Sequence, residues 1–153
     1  MSKSYWLAKS EPSVYSIDDL EADRVTYWDG VRNYQARNNL KEMKVGDFIL
    51  FYHSNADPIG VAGVAKVSKG AYPDPTQFDK RSKYFDPKAS KENPRWFCPD
   101  IQFVKKFKEV ITLAELKEDK KLKDMLVIRK GQRLSVQAVA KKDYDRVLEL
   151  AEA

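Results

Sequence analysis

Between positions 28 and 38 the chain reads Trp28-Asp29-Gly30-Val31-Arg32-Asn33-Tyr34-Gln35-Ala36-Arg37-Asn38. An aromatic face, two guanidinium groups and several side-chain amides are crowded into one short stretch. That set suits a nucleotide. An indole stacks on a base, arginine pairs with phosphate, and an amide reads a base edge. Aromatics are also common core residues, so the same stretch is compatible with Trp28 and Tyr34 packed inside and the arginines on a solvated face. Asp29 is expected to cap a helix by accepting from backbone N–H groups two or three residues on. Val31, Ala36, Leu40 and Met43 would then form its buried stripe. The free N–H groups at the start of such a helix favour an anion.

Other residues could do different chemistry, and the pattern argues against it. His53-Ser54 has the types of a base and a nucleophile, but neighbours in a strand point to opposite faces. No Gly-x-Ser-x-Gly elbow and no phosphate-cradling glycine loop occurs. Asp18, Asp19 and Asp23 read as an exposed, capped helix rather than as metal ligands. With one histidine, His53, and one cysteine, Cys98, a Cys/His metal cluster is excluded, and no cofactor is implied. Cys98 reads as a small buried apolar group.

The elements that must position these residues follow from pattern. Tyr5–Ala8 is a first strand, ended by Pro12. Ser16 and Asp19 form a capping box at a short helix. Phe48–Tyr52 is a fully apolar strand, joined through a hairpin to Ile59–Val67. Residues 70–94 lack periodicity, and a connection this long is functional or mobile. A long strand follows over Trp96–Phe107, then a helix capped by Thr112. Leu122–Ile128 is a further apolar piece. Arg133–Val136 is predicted as a short strand, and an amphipathic helix from Lys142 to Glu152 places Tyr144, Val147, Leu148 and Ala151 on one side. The order predicts a single α+β domain over residues 1–153. Its sheet is expected to curl into a small barrel, the small residues from Gly60 to Ala65 suiting sharp curvature.

Composition bounds the class. The chain has 153 residues, of which 42% are apolar and 33% charged, with a net charge of +5. One core and a wet surface follow. The basic excess suits a polyanionic partner. No run approaches the roughly 18 apolar residues of a membrane helix, and no secretory signal opens the chain. A lone cysteine fits a reducing compartment. A cytoplasmic monomer is the expectation.

Several blocks together carry a resemblance. Tyr5-Trp6-Leu7-Ala8-Lys9-Ser10-Glu11-Pro12, the Trp28–Asn38 stretch, Gly46-Asp47 followed by Phe51-Tyr52-His53-Ser54, Tyr72-Pro73-Asp74-Pro75 and Arg133-Leu134-Ser135-Val136 occur in the order of the signature blocks of the EVE domain, which the thymocyte nuclear protein 1 family also carries. The chain resembles that family over nearly its whole length. It lacks the basic N-terminal extension of the eukaryotic nuclear members and so resembles a stand-alone prokaryotic version. The resemblance implies a PUA-like fold related to the YTH domain, and a pocket that receives a modified base.

The expectation is therefore a non-enzymatic nucleic-acid-binding domain that takes a modified base, in DNA, into an aromatic and polar pocket. An RNA-binding PUA-like module is one alternative. A nuclease or base-modifying enzyme is the other. Trp28 is the expected stacking wall. Lys9, Ser10, Glu11, Asn33, His53, Ser54 and Ser135 are the expected polar lining, since each follows or ends an apolar element, where a rigid scaffold presents side chains at a cavity mouth. Arg32, Arg37 and Arg133 are the expected phosphate contacts, extended by Lys80, Arg81 and Lys83.

Overall fold

The computed structural model of the chain describes residues 3–152. Ten elements carry the fold: β1 (Tyr5–Ser10), α1 (Ile17–Asp23), β2 (Val25–Tyr27), α2 (Tyr34–Glu42), β3 (Phe48–His53), β4 (Gly60–Pro73), β5 (Phe97–Thr112), α3 (Leu113–Glu118), β6 (Val136–Val139) and α4 (Lys141–Glu152), with short 3-10 turns between them. The strands form one mixed sheet in the order β2-β5-β4-β3-β1-β6. Only β1 and β3 run parallel; the other pairings are antiparallel.

The unbroken apolar run of β3 has a direct cause: both faces of the sheet are covered, and a strand buried on both sides loses its alternation. On one face Trp6, Ala8, Ile49, Phe51, Ala65 and Ile101 pack against Ile17 and Leu20 of α1 and Ala36 and Leu40 of α2. On the other, Leu7, Leu50, Tyr52, Val64 and Phe107 pack against Leu116 of α3, Leu122, Met125, and Tyr144 and Val147 of α4. Alternate residues of β1 thus serve opposite cores. Asp47, almost fully buried, joins β1 to the start of β3. It accepts from Ser4 N (3.0 Å), Trp6 Nε1 (3.1 Å) and Lys44 N (3.0 Å). Cys98 is fully buried, and burial pushes its thiol up to about 12.

The α+β class holds, and four local expectations are corrected. The sheet does not close into a barrel. Closure would need β2 to pair with β6, and these stand at opposite ends of the sheet. Bulges along the β4–β5 ladder bend the long strands instead, and at Gly63 the strands approach so closely that a Cβ would lie 2.3 Å from Lys105 O. The helix after Trp28 begins later than expected. Its N-cap is Asn33, whose side chain accepts from Ala36 N at 2.9 Å, not Asp29. Gly30 in between has φ +79, which no helix tolerates. Val31 packs on the expected core from outside the helix. The last strand begins at Val136, because upstream the chain turns through Gln132, whose Oε1 accepts from Leu134 N at 3.0 Å. The segment 70–94 is not one irregular loop: β4 runs to Pro73 and a 3-10 turn follows over Pro75–Phe78.

Candidate nucleic-acid interface

The ends of β1 and β2 open into a cleft of about 550 Å³, within the size range of small-molecule sites. Lys9, Ser10 and Glu11 come from the end of β1; Thr26 and Tyr27 come from β2. Trp28, Asp29, Gly30, Val31 and Arg32 form the next wall, Val14 and Tyr15 another, and Lys83, Tyr84 and Ser135 complete the rim.

Trp28 is half-buried. Its indole meets Phe51 edge-on, with ring centroids 5.5 Å apart, and it also lines the cleft. The choice between core and cleft left open by the sequence is resolved as both. Tyr84 reaches the same cleft from the loop after β4, its ring against Gly30, because the loop is tied down. Arg32 donates to Tyr84 O from Nε (3.1 Å) and Nη2 (2.8 Å), to Val31 O (3.0 Å), to Asp74 Oδ2 (3.2 Å) and to Thr76 Oγ1 (3.0 Å). All five of its N–H donors are spent within the protein, which leaves none for the phosphate pairing expected of it. Asp74, fully buried, also accepts from Gly30 N (2.8 Å) and Thr76 N (2.8 Å). Burial works to raise its pKa, but the bonds from Thr76, Gly30 and Arg32 prevail and hold the carboxyl below its usual range. Fully buried Gln77 clamps the far side of the loop through Asp74 O, Trp96 O, Arg95 N and Trp96 N.

The polar lining is mixed in sign. Lys9 Nζ donates to Gln132 O at 3.3 Å, and burial lowers its pKa. Ser10 Oγ donates to Tyr15 O at 2.6 Å. Asp29 has a raised pKa, through burial first and the negative charge of Asp74 second.

Of the residues singled out in the sequence, Trp28, Lys9, Ser10, Glu11, Ser135, Arg32 and Lys83 come together at this cleft. Asn33 caps α2 and lies off it. His53 Nε2 accepts from Ile17 N at 3.1 Å, so its imidazole serves the start of α1, and burial lowers its pKa. Ser54 N donates to Ser10 O at 2.9 Å, next to the lining rather than in it. Arg37 donates to Arg95 O and Asn38 Oδ1 and stands over the Tyr34 ring. Lys80, Arg81 and Arg133 are exposed. Tyr15, Tyr27, Asp29 and Tyr84 were missed. For Asp29 a signal existed: Asp-Gly is a turn dipeptide, which argues against a helix cap. Tyr84, more than fifty positions from Trp28, left none.

The class so far is an α+β fold with its sheet covered on both faces and an aromatic-walled polar cleft at its strand ends. Among the described residues no group of three or more His, Cys, Asp or Glu is placed to hold a metal, and no helix is long and apolar enough to cross a membrane. Family comparison sharpens the class. The EVE domain matches residues 4–150. Thymocyte nuclear protein 1 of Homo sapiens is 45% identical over 168 residues, covering 97% of this chain and 74% of that protein. The chain belongs to the EVE domain family. A hypothetical protein from Leishmania major superposes with a TM-score of 0.94 at 49% identity, over 99% of this chain and 96% of that one. The human THYN1 protein, solved in complex with DNA containing 5-methylcytosine, superposes with a TM-score of 0.91 at 45% identity, over 99% of both chains.

Proposed function

We propose that this chain is a non-enzymatic reader of a modified base in DNA, with the cleft between Trp28 and Tyr84 as the base pocket. One observation carries the reading: a cleft lined by an indole, a phenol ring and polar groups of both signs, in a chain that superposes on a relative bound to 5-methylcytosine DNA. The cleft suits a base taken out of its stack, with Trp28 as the stacking face and Lys9, Ser10, Glu11, Asp29 and Ser135 available to the base edge. The bent, open sheet fits a PUA-like kinship. Lys83 on the rim, with Lys80, Arg81, Arg133 and Arg37 beyond it, supplies positive charge for the backbone. The proposed form is a monomer in a reducing cytoplasm, a compartment that the lone buried thiol of Cys98 suits.

The test is a binding titration with oligonucleotides of one sequence carrying cytosine or 5-methylcytosine, as DNA and as RNA. The methylated DNA is expected to bind best and to be recovered uncut. Trp28→Ala is expected to cost about 1–3 kcal/mol of binding per folded molecule, the worth of base–aromatic stacking. It also costs stability, because the indole rests on Phe51. Normal affinity per folded molecule in that variant would remove the pocket assignment. Tighter binding of RNA would overturn the DNA reading, and strand cleavage would overturn the non-enzymatic one.

A further inference from the structure

We infer that Asp29 is the specificity-determining residue of this cleft, its carboxylate accepting a hydrogen bond from the exocyclic amine of an amino-bearing base. The inference rests on the reading of the cleft as a base pocket. Asp29 follows Trp28 directly, and both line the cleft, so an acceptor stands beside the stacking face. Of the other acidic groups there, Glu11 is exposed and accepts from Asn55 Nδ2 at 2.8 Å, which leaves Asp29 as the half-buried carboxylate with capacity to spare. Asp74, behind it, is saturated by Gly30, Thr76 and Arg32. Arg32, the nearest guanidinium, spends every donor elsewhere and cannot serve Asp29. A half-buried acceptor of this kind gains most from a donor brought by the ligand.

Lys9 also lines the cleft, but its ammonium lies over the Tyr52 ring, which belongs to the core on the opposite face of the sheet from Trp28, and bonds Gln132 O. The acceptor beside the stacking face therefore sets the preference, and it suits a cytosine-type edge, where the N4 amine donates. Thymine shares the 5-methyl group of 5-methylcytosine and replaces the amine with a carbonyl oxygen. In this cleft that oxygen would face the Asp29 carboxylate, acceptor against acceptor. Sites built to bond a polar group reject the analogue lacking it far more strongly than apolar pockets reject a missing methyl. The same contact is strongest with the carboxylate ionised. The groups that face Asp29 and set that balance are Asp74, which raises its pKa, and Arg32 and Lys83, which lower it.

The experiment compares 5-methylcytosine with thymine at one position of an otherwise identical single-stranded DNA, by fluorescence anisotropy, for the wild-type chain, Asp29→Asn and Trp28→Ala. The wild type is expected to prefer 5-methylcytosine. Asp29→Asn, isosteric and uncharged, is expected to cut that preference about tenfold or more while its melting temperature does not fall. Asp29→Ser is the second variant, with the same expected loss, should the amide disturb the fold. If both Asp29 variants keep the wild-type preference while Trp28→Ala loses binding, the assignment of Asp29 is overturned and the base pocket stands. A wild type that binds thymine as well as 5-methylcytosine also overturns it. If the wild type binds neither oligonucleotide, the base-pocket reading itself is overturned, and the role of Asp29 with it.

Discussion

At the scale of single residues, Asp29 and Asp74 form a pair whose members are driven apart in acidity. Burial and the charge of Asp74 raise Asp29, while hydrogen bonds hold Asp74 low. Their contributions to stability therefore have opposite signs. A carboxyl with a raised folded pKa costs the native state when ionised. That cost is full at neutral pH and fades as pH falls through the folded pKa toward the unfolded value near 3.9. The contribution of Asp74 is present above its unfolded value and is lost only as pH falls through its depressed folded pKa. Asp29→Asn is therefore expected to melt above the wild type at pH 7, with the gain shrinking as pH falls and lost only below the unfolded value of about 3.9. Thermal melts across that range check it, and a gain undiminished in acid would show that the ionised carboxylate is not under strain. The residues legible from sequence were those at strand ends. Lys9 and Ser10 follow an apolar run, so position along the chain already implied a place at a rim, whereas Trp28 was legible only from its residue type beside arginines and amides, the three-residue β2 before it leaving no pattern. Asp29 was legible as a polar residue but was given a capping role. Gly30, in left-handed backbone, with Val31 and Arg32 separates it from the N-cap Asn33, and that conformation is visible only in the fold.

At the scale of elements, the segment between β2 and α2 matters most. A Cβ on Gly30 would lie 2.7 Å from the Tyr84 ring, and the residue sits at φ +79. Two independent reasons thus require glycine: left-handed backbone and the close approach of a ring. Gly30→Ala is expected to cost about 1–3 kcal/mol of stability and to weaken base binding by displacing Tyr84. Denaturant melts beside a titration check both, and unchanged values would show that Tyr84 gives way freely. The capping boxes of Ser16 with Asp19 and Thr112 with Glu115 are local devices, which is why the starts of α1 and α3 can be read from four residues each. The start of α2 could not be read in this way, because two candidate caps, Asp29 and Asn33, stand within one turn of each other. The full lengths of β4 and β5 were underestimated for a different reason. Bulges interrupt their periodicity, and a broken alternation reads as the end of a strand.

At the scale of the molecule, the net charge of +5 is spread over exposed lysines and arginines. Some are held in surface ion pairs, such as Lys106 with Asp18 and Lys141 with Asp145. Affinity for DNA is expected to fall with salt. Neutralising Lys80, Arg81 and Lys83 together should flatten the dependence by roughly one unit of slope for each phosphate contact removed. Arg32→Ala should leave the slope intact and lower the melting temperature, since its donors all hold the rim. Salt titrations of the three proteins decide, and a flat wild-type response would contradict a nucleic-acid partner. The α+β class was legible because helices and strands alternate with clear punctuation. Whether the sheet closes was not, because closure is settled by the pairing of β2 with β6. These are short strands more than a hundred residues apart, and neither records its neighbour.

The loop that carries Tyr84 is fastened through Arg32, Asp74 and Gln77 by bonds internal to the protein, so the rim has nothing to assemble when a base enters. On the proposed function, the clock of recognition then belongs to the nucleic acid. Opening of the base from its stack sets the pace of capture, and the protein sets only how long the opened base is kept.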